Sequence, residues 1–77
     1  MSLRGYSLIL VKANRDADPR HIGVRLGKWC IRMNIPVTEV AEKFGVSRMT
    51  VYSWFKGESI VSSKHADKMQ KLLDKMK

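Results

Sequence analysis

Arg48, Met49, Tyr52 and Ser53 fall within about one and a half turns of a helical pattern, and their side chains suit the edges of base pairs. A guanidinium at Arg48 can give two hydrogen bonds to guanine O6 and N7, worth about 1–3 kcal/mol of discrimination. Met49 offers apolar contact to a thymine methyl group. Ser53 can donate or accept at either base type. Tyr52 suits a phosphate bond or packing on the first helix. Other chemistry finds no such grouping. No residue stands at a spacing that would make a nucleophile–base pair, so no catalytic residue is assigned and no enzyme is expected. The acids form no carboxylate dyad, and no Gly-rich loop cradles a phosphate. His21, His65 and Cys30 lack the spacing of a zinc site, so no metal and no cofactor is expected.

The charge agrees with an anionic partner. Lys and Arg number 15 against 7 Asp and Glu, a net charge of +8. The 77 residues support one small domain, and 44% of them are apolar, enough for a folded core. The run Leu8-Ile9-Leu10-Val11 is far short of the roughly 20 apolar residues of a spanning helix, so no membrane partner is expected. A single cysteine, Cys30, suits a reducing cytoplasm better than a disulfide scaffold. A small-molecule substrate is not expected either.

The elements that must position these residues can be read from capping signals and periodicity. Asp18-Pro19 is a helix start, with Asp as N-cap and Pro at the first helical position. Ile22, Leu26, Trp29 and Met33 then recur as one apolar stripe, and Asn34 with Pro36 ends that helix. Gly23 and Gly27 weaken it, but they share a face where another backbone can approach closely. A second short helix runs from about Val37 to Phe44, with Val40, Ala41 and Phe44 inward, and Gly45 stops it. Ser47 caps a third helix to about Lys56, with Val51, Trp54 and Phe55 inward, and Gly57 ends it. Ser62 or Ser63 caps a fourth, whose inner face is Ala66, Met69, Leu72, Leu73 and Met76. The expected fold is therefore mainly all-α, a small four-helix domain over 18–77, with a short N-terminal β-strand as an option.

That strand is Tyr6–Val11 in an arm spanning 1–17, although its apolar residues would point to both faces. Asn14–Asp18 reads as a polar linker. A lone strand needs partners for its backbone groups. Three are open: Ser59–Ser62, the same strand in a second subunit, or a partner protein that binds residues 1–17. The plain alternative is a packing arm or an extension of the first helix.

Across 37–56, Ala41 permits a close helix crossing, Gly45 makes the turn, and Val46, Val51 and Trp54 fill the wedge between two helices. The motif Ala41-x-x-x-Gly45-Val46-Ser47-x-x-x-Val51-x-x-Trp54-Phe55-x-Gly57 resembles the helix-turn-helix unit of the lambda repressor and Cro-like family, which includes small phage and plasmid regulators. The likeness is close over 37–56 and looser over 19–77. It implies a DNA-binding regulator, often a repressor that dimerises on inverted repeats, whose second motif helix enters the major groove. It also implies phosphate contacts near the first helix, for which Arg20, Arg25 and Lys28 are the candidates together with Arg32. Thr38 and Ser47 suit phosphates through hydroxyls at helix starts, and Lys56 reaches the backbone at the far end.

Each residue has a plainer reading as well. Arg48 can be a solvated cation, Met49 can pack on a loop, and the lysines of the last helix can simply keep it soluble. Trp54 and Phe55 suggest base stacking, but their helical phase places them in the core. Trp29 and Cys30 are expected there too, and His21 and His65 at the surface. The alternative functions are a phage-type protein that uses the scaffold to inhibit a host protein, and DNA recognition for recombination or packaging.

Overall fold

The computed structural model describes residues 7–75, which form five α-helices: α1 (Leu8–Asp16), α2 (Ile22–Met33), α3 (Val37–Phe44), α4 (Arg48–Lys56) and α5 (Ser63–Lys75). No strand occurs among the described residues. The strand expected over Tyr6–Val11 is therefore corrected: Leu8–Val11 open α1, and Tyr6 lies outside the described residues. The physical reason is local and tertiary together. Ser7 acts as N-cap, its Oγ accepting the Leu10 N–H at 3.1 Å. A helix satisfies its own backbone, whereas a strand here would need a partner. Helical spacing also turns Leu10 and Asn14 inward while Leu8 and Ile9 face out. The polar linker expected from Asn14 onward is corrected as well, since Asn14–Asp16 form the last turn of α1.

The start expected for the next helix lies too early. Asp18 is not its cap; α2 begins at Ile22, with His21 as N-cap. The His21 Nδ1 accepts the Gly23 N–H at 3.1 Å, and its Nε2 then donates to the Ser59 carbonyl at 2.8 Å. These two bonds make His21 half-buried rather than a surface residue. The Asp18 carboxylate instead closes a turn onto Arg20, accepting its backbone N–H at 2.9 Å.

Along α2 the buried residues are Gly23, Val24, Leu26, Gly27 and Cys30. Met33 is 57% exposed, so the expected stripe is rotated. Its cause is the close packing of α1 and α4 on the glycine side. A Cβ on Gly27 would lie 2.6 Å from Asn14 Nδ2 and 2.8 Å from Phe55 Cγ. One on Gly23 would lie 2.8 Å from the Trp54 carbonyl oxygen. The close approach expected at these glycines is present.

Asn34 (φ 60°) closes α2 and Gly45 (φ 66°) closes α3, both in left-handed conformations. Val37, Val40, Ala41 and Phe44 are buried on α3, and Val51, Trp54 and Phe55 on α4. Met69 of α5 is buried and Leu72 and Leu73 are partly so; Met76 lies outside the described residues. The core joins Leu10 of α1 to Leu26, Cys30, Phe44, Val51, Trp54, Phe55 and Met69, while Trp29 packs half-buried at its edge.

Candidate nucleic-acid interface

The turn between α3 and α4 is built from three local devices. Gly45 takes the left-handed conformation, and the Val46 N–H donates to the Ala41 carbonyl at 3.0 Å. Ser47 then caps α4, its Oγ accepting the Thr50 N–H at 3.2 Å and lying 3.1 Å from Thr50 Oγ1. The opposite end closes at Gly57.

Tertiary packing holds α4 in one rotation. Val51, Trp54 and Phe55 are buried on one side. Phe44 and Trp54 meet edge to face with centroids 5.6 Å apart, and the His65 ring packs on both, at 5.8 and 5.3 Å. His65, expected at the surface, is thus half-buried between α3, α4 and α5. From the other side the Asn14 amide donates to the Val24 carbonyl at 3.1 Å and to the Phe55 carbonyl at 2.7 Å. Asn14 is 2% exposed, so these bonds are made out of water and tie α1, α2 and α4 together.

This clamping leaves Arg48 and Met49 exposed at the first turn of α4, Met49 by 72%. Tyr52 and Ser53 are half-buried one turn later. Among the described residues Arg48 has no ion pair or hydrogen bond from its side chain. Met49, Tyr52, Ser53 and Lys56 border an open groove of about 340 Å³, whose far wall is the first turn of α1.

The candidate phosphate residues divide by how they are already engaged. Thr38 and Arg25 are exposed, and no side chain caps the start of α3 beside Thr38. Ser47 is held by the cap. Lys56 lies 3.4 Å from Glu58, a surface pair. Arg20 forks Asp18 through Nε at 3.1 Å and Nη2 at 3.0 Å. That fork holds the Asp18 carboxyl below its ordinary range and raises the Arg20 guanidinium. The Lys28 ammonium donates to the Asn14 and Arg15 carbonyls at 3.2 and 3.4 Å, closing the end of α1.

The order α3, turn, α4 leaves one clamped face on α4 and, opposite it, a face with Arg48 and Met49 exposed. A protein-family model described as helix-turn-helix matches residues 26–75. The chain belongs to this helix-turn-helix family, of lambda repressor/Cro-like type. Neither a curated protein nor a solved structure matches the chain. Membership of the helix-turn-helix family implies DNA binding, and its members are typically non-enzymatic. No described helix is long and apolar enough to cross a membrane. The family match begins inside α2, so α1 lies outside it. Sequence reasoning missed Asn14 as the residue that holds α4 from behind. The signal is its place four residues after Leu10, on the same side of a helix whose sequence also suits a strand and a linker.

Proposed function

We propose that this helix-turn-helix chain is a sequence-specific transcriptional regulator, a small phage-type repressor that occupies an operator through α4 and blocks RNA polymerase. The observation that carries this reading is the exposed, unpaired Arg48 beside exposed Met49, at the turn where α4 meets base edges. Arg48 reads a guanine, Met49 a thymine methyl, and Ser53 and Tyr52 the bases one turn on. Thr38 and Ser47 hold phosphates at the starts of α3 and α4, and Lys56 does so at the end of α4. Arg25 adds to this set directly. Arg20 and Lys28 do so by exchanging their present partners for phosphate. One short helix buries little surface, so two copies act on half-sites about 34–36 Å apart or a multiple of that. The setting is the cytoplasm of a bacterium or phage-infected cell.

Selection of bound duplexes from a random pool at physiological salt tests the reading. An enriched inverted repeat is the expected result, and its spacing gives the geometry of the dimer. A single enriched half-site keeps the DNA role and removes the dimer. No enrichment, with binding that vanishes as salt rises, leaves only non-specific charge contacts and overturns sequence recognition.

A further inference from the structure

Two large apolar side chains stand in water at the start of α1: Leu8 is 77% and Ile9 is 82% exposed. They are not scattered singly. Ile9 and Ser7 form one wall of the groove whose other wall is Met49, Tyr52, Ser53 and Lys56 of α4. Exposed Met49 therefore continues the same apolar strip onto the outer face of α4. Helical spacing sets Lys12 one turn after Leu8 and Ile9, and Arg15 one turn further. Two acids stand near these cations: Asp16 lies 3.7 Å from Arg15, and Glu58 borders the groove 3.4 Å from Lys56, a surface pair that a phosphate can replace.

The charge on this face selects its occupant. A second copy of the chain, also at +8, would bring Lys12, Arg48 and Lys56 against residues of the same sign. A duplex meets the same face with phosphates for the cations, and with sugars and thymine methyls for Ile9 and Met49. We propose that α1 is a second DNA-contacting element, which lays Ile9 along the rim of the groove that α4 enters and sets Lys12 on the adjacent phosphates. The proposal rests on the DNA-binding reading of α4. It goes beyond the family, because α1 lies outside the matched residues.

The test compares the full chain with Ile9→Ala/Lys12→Ala and, separately, with Arg48→Ala, on the duplex selected by the parent protein. Both α1 side chains are exposed, so the double variant keeps its fold, which a thermal melt checks. It is expected to bind about tenfold more weakly and to lower the salt slope by about one. Its hydroxyl-radical footprint should shorten on one flank, with base preferences under α4 unchanged. Parent affinity and a full footprint in the double variant, while Arg48→Ala loses discrimination, overturn the proposal and leave α4 on DNA. Parent behaviour from Arg48→Ala removes the α4 reading, and the proposal falls with it. Sedimentation without DNA supplies a last arm: a parent dimer that the double variant turns into monomers assigns the face to self-association and overturns the proposal.

Discussion

The free guanidinium of Arg48 and the paired ammonium of Lys56 differ in what their loss should do. Arg48→Ala is expected to cost about 1–3 kcal/mol on the preferred duplex and to relax one base position. A binding titration over single-base variants of that duplex checks it, and unchanged preference counts against base reading. Lys56→Ala should weaken all sequences alike and lower the slope of log K against log salt by about one. Because Glu58 lies 3.4 Å from Lys56, Glu58→Gln should strengthen binding modestly for every sequence, which the same titrations detect. Cys30 is a residue of the other kind. Burial, with the nearby Glu39 charge, pushes its thiol up to about 12. The sign follows directly. The thiol stays protonated in the folded state above pH 9, where the unfolded chain has lost the proton, so its contribution to stability falls as pH rises from about 9 towards 12. At pH 8, iodoacetamide labelling of Cys30 should follow global unfolding in urea, and rapid labelling of the folded chain would contradict its burial.

At the scale of elements, the packing of α2 is decided by its glycines. An exposed helical glycine replaced by alanine usually gains up to about 1 kcal/mol. Gly27→Ala should do the reverse, because the new Cβ meets Asn14 Nδ2 at 2.6 Å and Phe55 Cγ at 2.8 Å. A loss of about 1–3 kcal/mol in urea unfolding is expected, with α4 displaced against α2. DNA affinity should fall with it, since α4 carries the proposed reading face. Helix boundaries were legible where a cap and a stop stood together. Ser47 and Gly57 bracket α4, and Pro36 and Gly45 bracket α3. They were not legible at Asp18-Pro19, whose strong start signal makes a turn closed by Arg20. Two signals competed there, and His21 prevailed because its ring also reaches the Ser59 carbonyl, a bond across 38 residues that no local pattern contains.

Across the whole molecule, the buried Asn14 amide ties α1 to α2 and α4. A chain of 77 residues has a stability of roughly 4–12 kcal/mol on general grounds. Asn14→Ala deprives the Val24 and Phe55 carbonyls of their shared donor inside the protein, which should cost about 1–3 kcal/mol. In a domain this small each kcal/mol lowers the melting temperature by about 4–8 °C, so a calorimetric scan resolves the change. Asn14→Asp should be worse still, since a carboxylate would face two carbonyl oxygens without donating to either. A variant that melts like the parent would show that α1 is held by its apolar contacts alone. That outcome would place the positioning of α4 on the Phe44–Trp54–His65 cluster instead.

Residues 37–57 spoke for themselves because each signal there is local. A cap, a glycine in a left-handed turn and buried positions at helical spacing lie within a few residues of one another, and backbone sterics and short-range hydrogen bonds make them mean one thing. The mainly helical character and the inward set Val40, Ala41, Phe44, Val51, Trp54 and Phe55 followed from sequence alone. Tertiary structure decided what α1 is and where it lies. Four consecutive apolar residues are compatible with strand or helix, and the choice was made by distant partners: carbonyls of Val24 and Phe55 for Asn14, and a core that accepts Leu10. The same contacts put Ile9 across one open groove from Met49, forty positions away in the chain. Spacing can set Asn14 on the same side of a helix as Leu10, but its burial against two backbones is a property of the assembled helices.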